Sequence, residues 1–549
     1  MINTKISHLK FTSYFLFIIT IIFYKYAWSS ISIWREDEAV TLWLALVNNL
    51  LESPFGNVSS TGIPNPNLSI IISKILTFFN SFIFISLFLS ILQMMLIYFA
   101  LSSKKYEFNL LLILFLGFSF YITYLTSSIW YQFIITTINA LFIKLIFDYI
   151  FEEKYYLFTY FPVLAILPAS LYLGGLSNSI IFSLFFLFIM IFNWKNFYKN
   201  FSNIKHILLS TFLFISILRL TWYQYFTNIN FDSLRIQNDG RLFPYSRIRD
   251  YLYQGFQYIK EIPEFLLNIF STTDHIYFLF SYSDKLSEKS IQLIDLSLFA
   301  NKFLNLISLS VIILAFFLLL KNKETINIKL LYKNLLIIFF IVSFVIITPL
   351  IGGRQFLYFD IQSLSVFASA YILFLYVWIS VPFIFKKFRL FNQSVKIFLY
   401  LIIILNIFTS LSLRNDYLNS ESTYLSEADE SVLYKEQIVD FLSTKKSNTV
   451  HIYYDLGGVV FDWIPVFNER YYSNEYYNYS LSLGRDFDYL LKKKYNITNT
   501  QEGKVTRSFV NTDFYISYVF NEFPENVYDN YKHYQFGNFR VTENLNKNE

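Results

Sequence analysis

FIFISLFLSILQMMLIYFAL, residues 82–101, carries no charged side chain. As a helix it can cross a hydrocarbon layer of about 30 Å, where backbone groups must be satisfied internally. Apolar runs of this kind recur from Phe11 to Leu413. The chain of 549 residues is 55% hydrophobic, 21% aromatic and 15% charged, with a mean hydropathy of +0.43. A soluble domain averages about 25% charged residues, so lipid is the solvent that this composition fits.

Eleven segments read as spans: Phe11–Trp28, Phe82–Leu101, Phe108–Leu125, Trp130–Ile150, Leu157–Tyr172, Leu176–Phe192, Ile207–Tyr223, Phe303–Leu320, Leu330–Leu350, Ile361–Ile384 and Val395–Leu413. The first follows Lys5 and Lys10 without a small-residue cleavage site and reads as a retained span, not a signal peptide. Leu68–Phe79 is too short and carries Lys74, which suits a juxtamembrane helix. Cationic short loops belong in the cytoplasm. Lys104 and Lys105 form one, Lys195, Lys199 and Lys205 a second, Lys321, Lys323 and Lys329 a third, and Lys386, Lys387 and Arg389 a fourth. With the N-terminus inside, all four fall inside. The first loop (29–81), a long loop (224–302) and the tail then face outward, as expected of a multi-pass protein of a bacterial-type inner (plasma) membrane.

The tail changes character after Leu413. Ser431–Thr444 has helical spacing, while Thr449–Tyr454, Val459–Val466, Phe514–Val519 and Phe539–Thr542 read as strands. The expected fold is therefore a polytopic α-helical membrane module, residues 1–413, with outer juxtamembrane helices and a small extracytoplasmic α/β domain, residues 414–549.

The net charge of +5 comes largely from these loop lysines and reads as topology, not nucleic-acid binding. The absence of Cys excludes disulfides, thiol catalysis and Cys-based metal sites. His275 and His451 are isolated, without zinc-ligand spacing, so the sequence implies neither a metal site nor a cofactor.

Trp34-Arg35-Glu36-Asp37-Glu38-Ala39 lies just beyond the first span. Charges at bilayer depth cost roughly 2.5–3.5 kcal/mol each, so four clustered at a span end need solvent, partners or a polar cavity. Ala39–Leu51 is apolar enough to lie along the interface, with Asp37 and Glu38 at its N-terminus, where the helix dipole favours carboxylates. An acidic cap on an interfacial helix is the plain alternative to a site.

Three landmarks occur together: this Asp-Glu-Ala opening, Gly62-Ile63-Pro64-Asn65-Pro66-Asn67-Leu68 leading into the next helix, and Gly352-Gly353-Arg354-Gln355-Phe356-Leu357-Tyr358 after a late span. In order and sidedness the chain resembles the glycosyltransferase C-fold superfamily. It is most similar to the polyprenyl-phosphate-sugar-dependent branch, which includes protein mannosyltransferases and lipid A aminoarabinose transferases. Asn65 stands where Lys or His is common in that family, and Asn67 replaces a Pro.

The resemblance implies a donor sugar on polyprenyl phosphate and an acceptor hydroxyl of a glycolipid, glycan or protein. It implies Asp37 as the base, with Glu38 positioning the acceptor or Asp37 itself. Arg354 would hold the leaving phosphate by bidentate hydrogen bonds, and Lys74 would approach the same phosphate. Asn65, Tyr131, Gln132 and Tyr358 would contact substrate. An Arg at a span end also snorkels to anchor its helix, and Trp130-Tyr131 equally fits an interfacial anchor.

A lipid-linked glycan flippase is the non-enzymatic alternative. It needs polar groups along a path through the bilayer, whereas the predicted span interiors are nearly charge-free. An O-antigen polymerase or ligase with a diphosphate-linked donor would draw on the arginines of the long outer loop.

Overall fold

The computed structural model describes residues 2–29, 33–34, 36–47, 55–58, 64–119, 122–123, 126, 131–172, 175–192, 199, 201, 203–228, 286–321, 323–352, 361–419, 430–455, 484–500, 512–519, 523 and 528–547. The apolar runs form helices, since a helix alone closes its own backbone hydrogen bonds while presenting Leu, Ile and Phe on every face. They are α1 (Ile2–Ser29), α2 (Glu36–Val47), α3 (Leu68–Leu76), α4 (Phe82–Leu101), α5 (Tyr106–Phe118), α6 (Tyr131–Phe151), α7 (Phe161–Leu171), α8 (Leu176–Phe192) and α9 (Ile204–Ile217). After the long loop come α10 (Glu288–Lys321), α11 (Ile328–Gly352), α12 (Ile361–Ser380) and α13 (Arg389–Asn419). Among the described residues, five stretches are long and apolar enough to cross a membrane: Phe82–Leu101, Ile134–Phe151, Ile204–Thr227, Glu288–Lys321 and Arg389–Asp416. The chain thus has the make-up of a helical membrane protein.

Three elements depart from the sequence reading. The run expected to span Phe108–Leu125 is interrupted: α5 ends at Phe118, and Ser119 recaps a second turn through its carbonyl to Thr123 N–H (3.0 Å) and its hydroxyl to Ile122 N–H (3.3 Å). Helix α10 begins at Glu288, so the end of the supposed long loop is already helical. α9 continues beyond Ile217 through a π-helical turn, Leu218–Tyr223, to Asn228.

Contacts sort the helix ends into two groups. At one end Lys329 Nζ meets Glu152 Oε1 at 2.6 Å, and Lys386 N–H donates to Thr325 O at 2.9 Å. Lys105 Nζ stands over the Phe383 ring at 4.7 Å, and Tyr160 is hydrogen-bonded to His206 at 2.8 Å. The four cationic loops flank these contacts. At the other end Trp222 Nε1 donates to Ser170 Oγ (2.8 Å), Asn67 Nδ2 to Leu220 O (3.0 Å) and Ser287 Oγ to Asp416 Oδ2 (2.8 Å). The C-terminal residues pack at this second end.

There, α14 (Val432–Lys445) and α15 (Arg485–Leu490) accompany a four-stranded sheet. With all strands numbered in chain order, it consists of β6 (Ile452–Asp455), β8 (Phe514–Tyr518), β9 (Tyr531–Phe536) and β10 (Phe539–Asn544), in the spatial order β6-β8-β10-β9. β6 runs parallel to β8, with α15 in the crossover, and β10 is antiparallel to both β8 and β9. Short pairings complete the set: β1 (Ile33–Trp34) with β4 (Glu430–Ser431), β2 (Phe55–Val58) with β3 (Pro64–Pro66), and β5 (Thr449–Val450) with β7 (Thr498–Asn499). The predicted strand Val459–Val466 lies outside the described residues.

Among the described residues, this region shares its core with the bundle. Ile438, Leu442, Phe487, Leu490, Ile516 and Val541 share one apolar cluster with Leu42, Trp43, Leu76, Phe82, Ile85 and Leu89. Phe82 and Tyr489 stack with ring centroids 5.3 Å apart. Inside it, Lys435 and Asp486 form an ion pair with side chains only 3% and 6% exposed.

Candidate functional site

The Asp-Glu turn is fixed from both sides. Strand β1 immediately precedes it, with Ile33 opposite Ser431 and Trp34 opposite Glu430. Helix α2 begins at Glu36, so Asp37 and Glu38 occupy its first turn, where the unpaired N–H groups and the dipole favour negative charge. Behind them Thr41, Leu42, Trp43, Leu44 and Ala45 are all buried. The expectation of a helix lying on the interface is therefore corrected: α2 is enclosed by protein, between α3 and α15. An apolar stretch that finds two apolar partners buries more surface than one floating at a headgroup layer. The side chains of Asp37 and Glu38 themselves lie outside the described residues.

The other predicted residues are placed unevenly. Lys74 sits on α3, and its Nζ donates to Leu46 O at 3.5 Å, a long contact that ties α3 to the last turn of α2. Asn65 is in β3, opposite β2, with its side chain outside the described residues. Tyr131 and Gln132 open α6, again with only the backbone described. Arg354 and Tyr358 lie outside the described residues. Their flanks are informative: α11 ends at Gly352 and α12 starts at Ile361, both on the end that carries the C-terminal sheet. Glu436 reinforces that end, accepting from Ser81 Oγ at 2.6 Å and from Phe82 N–H at 2.9 Å across the first turn of α4.

One residue escaped the sequence reading. Lys25, on α1, is 0% exposed. Its Nζ donates to Ser90 Oγ at 2.9 Å and to Thr123 Oγ1 at 3.3 Å. Ser90 Oγ lies 3.0 Å from Thr126 Oγ1, which donates to Ile122 O at 2.7 Å. Gln93 extends the network, donating to Thr126 O (2.9 Å) and accepting from Thr137 Oγ1 (3.0 Å). Lys25 is the one fully buried charged side chain in the helical bundle among the described residues, and no carboxylate there pairs with it. The expectation of nearly charge-free span interiors is corrected at this point. The signal was present in the sequence as a lysine on the first apolar run. A lysine so close to a helix end ordinarily snorkels outward, which is why it did not stand out.

Below this level, apart from the Lys144–Asp148 ion pair (3.3 Å) on α6 toward the cationic end, the buried polar contacts named next are neutral. Asn139 Nδ2 donates to Ser369 Oγ at 2.7 Å, Asn178 Nδ2 to Asn139 Oδ1 at 2.9 Å, and Trp378 Nε1 to Asn305 Oδ1 at 2.7 Å. Such pairs hold helices together where no water competes. No group of three or more His, Cys, Asp or Glu side chains gathers in a metal-binding arrangement among the described residues.

The fold and the end-on domain define a class, a helical membrane protein with a small α/β unit seated on one end of its bundle. Comparison with protein-family models, curated proteins and solved structures finds no match.

Proposed function

We propose that the chain is a membrane glycosyltransferase that moves a sugar from a polyprenyl-phosphate donor to an extracytoplasmic acceptor hydroxyl. The supporting observation is a coincidence of placement. The Asp37-Glu38 turn, both flanks of the Arg354 connection and the C-terminal sheet share one end of the bundle, opposite the four cationic loops. Under the positive-inside rule the cationic end faces the cytoplasm, and with the eleven spans read from the sequence the site faces outward.

In this reading Asp37 takes the acceptor hydroxyl's proton as its oxygen attacks the anomeric carbon. The carbon–oxygen bond to phosphate breaks, polyprenyl phosphate leaves with the electron pair, and the anomeric centre inverts. Arg354 stabilises the charge on the departing phosphate. Glu38 positions the acceptor. Burial of α2 keeps the first turn stationary, which a general base requires.

The test is sugar transfer by purified protein supplied with a polyprenyl-phosphate sugar. Asp37→Asn should lower turnover by about 10²–10⁴-fold, the scale of general-base catalysis, at unchanged thermal stability. Unchanged turnover removes Asp37 from the role.

A flippase reading gains one observation, the buried Lys25. Lys25 near one end and the Lys144–Asp148 pair near the other, with neutral Asn and Ser pairs between, do not line a continuous path across the bilayer, so the transferase reading stands ahead of it.

A further inference from the structure

We propose that Lys25 and Thr123 form a phosphate-binding site within the bundle, and that it receives the phosphate of the lipid-linked donor. The donor part rests on the transferase reading; the anion site itself rests on the geometry of the polar network.

Lys25 lies four residues before the end of α1 at Ser29, about 6 Å along the helix. Side chains on a helix lean toward its N-terminus, so this one reaches deeper into the bundle and not outward to headgroups. Its partner Ser90 is eight residues into α4 from Phe82, about 12 Å from that end. The neighbouring Tyr24 on α1 donates to Phe118 O at 3.4 Å and is hydrogen-bonded to Ser410.

An inventory of donors decides what the cluster lacks. Thr126 donates to Ile122 O, so Ser90 donates to Thr126 and accepts from Lys25. Gln93 is engaged at both its nitrogen and its oxygen. The ammonium has three N–H groups and gives two, to Ser90 and Thr123. Thr123 accepts from Lys25, and its own O–H makes no hydrogen bond to the described residues. Two donors, one of them charged, are left beside each other without an acceptor or counter-ion among the described residues.

A buried ammonium in that condition is costly, and a charge-assisted contact to an oxyanion relieves it. Phosphate presents several acceptor oxygens and no carbon at its periphery, which matches a donor-rich, acceptor-poor corner. The adjoining break after Phe118 fits the same role, because non-helical backbone at bilayer depth occurs where it is enclosed by protein or lines a cavity. Neutral helix-to-helix glue, the competing account, needs no cation: Asn, Ser and Thr serve elsewhere in this bundle.

The experiment measures binding, not transfer, on the full chain in detergent. Farnesyl phosphate is the probe, inorganic phosphate and farnesol are the comparisons, and ligand-induced thermal shift is the readout. Wild type should bind farnesyl phosphate, and Lys25→Met should weaken that binding at least about tenfold, the loss expected for a charge-assisted hydrogen bond. Lys25→Arg should stay within a few-fold of wild type, and Thr123→Val should weaken binding several-fold, which keeps the proposal testable should Lys25→Met fold poorly. Farnesol should show no difference between wild type and variants. Equal binding by wild type and Lys25→Met overturns the site and leaves the transferase reading standing. Inorganic phosphate that binds as tightly as farnesyl phosphate overturns the lipid source. No binding of farnesyl phosphate by wild type overturns the proposal and the transferase reading together. Asp37→Asn should bind the probe normally, which separates this site from the base.

Discussion

Glu436 reaches from α14 to the first turn of α4 and accepts from both Ser81 Oγ (2.6 Å) and Phe82 N–H (2.9 Å). One carboxylate thus caps a bundle helix from the C-terminal unit, at the positive end of that helix's dipole. Glu436→Ala leaves the Phe82 N–H without this partner and should cost about 1–2 kcal/mol. The loss should appear as faster proteolytic release of the C-terminal unit from a bundle that stays folded. An unchanged cleavage rate would show that the shared apolar cluster holds the two parts together unaided.

Lys435 precedes it and points the other way, into the domain, onto Asp486. Lys435→Met leaves a carboxylate buried without its partner, a loss of about 3–5 kcal/mol. The double variant Lys435→Met/Asp486→Leu should recover most of that stability in thermal unfolding. A double variant no better than the single one would mean that the pair also serves as a specific contact.

α1 and α5 approach at Gly117, where a Cβ would overlap the side chain of Ile21, one turn below Lys25. Gly117→Val should push the two helices apart and cost about 1–3 kcal/mol. Because Ile21 and Lys25 share a face of α1, it should also weaken farnesyl phosphate binding, while Gly117→Ala does so less.

His533 is held below its ordinary pKa, first by burial and then by Arg540 nearby. The unfolded chain therefore takes up a proton that the folded domain resists. Folding stability is complete above the ordinary histidine range and declines as the pH falls through it. Thermal midpoints measured between about pH 7.5 and about pH 5.5 should fall for wild type, and fall less for His533→Gln. Parallel slopes would show that His533 does not carry the effect.

On the transferase reading, Arg354→Lys keeps the charge and loses the bidentate fork, so sugar transfer should fall about tenfold, and Arg354→Ala should fall further. Equal activity of the Lys variant and wild type would reduce Arg354 to a simple point charge.

The helices were readable in the sequence where hydropathy alone decides. Phe82–Leu101 and Leu176–Phe192 have the same bounds in both readings, because a long apolar run has one way to satisfy its backbone. The interruption at Ser119 was not readable, since residues 108–125 carry no charged side chain and the break depends on Tyr24 and Ser119 meeting the freed backbone groups. α2 was legible as a helix and misplaced, because its partners on α15 lie far along the chain, beyond every helix of the bundle. β9 was passed over because Lys532, His533 and Gln535 mask an edge strand, Tyr531–Phe536, whose outer face is polar. The candidate site divides in the same manner. Its backbone frame at Asp37 and Glu38 follows from a cap signal, whereas Lys25 is defined by neighbours on two other segments of the chain.

The two-residue ribbon between Ile33–Trp34 and Glu430–Ser431 has a consequence for biogenesis. During synthesis the first span and the Asp-Glu turn emerge early, while their clasp follows only after every helix of the bundle. The turn cannot take its final setting until the helices up to α13 have been made and Glu430–Ser431 reaches the same end of the bundle. A product stalled before Glu430 would carry every helix up to α13 and still lack the ribbon. Arrival of Glu430–Ser431 is thus the step that sets the turn, and half-made copies lack it.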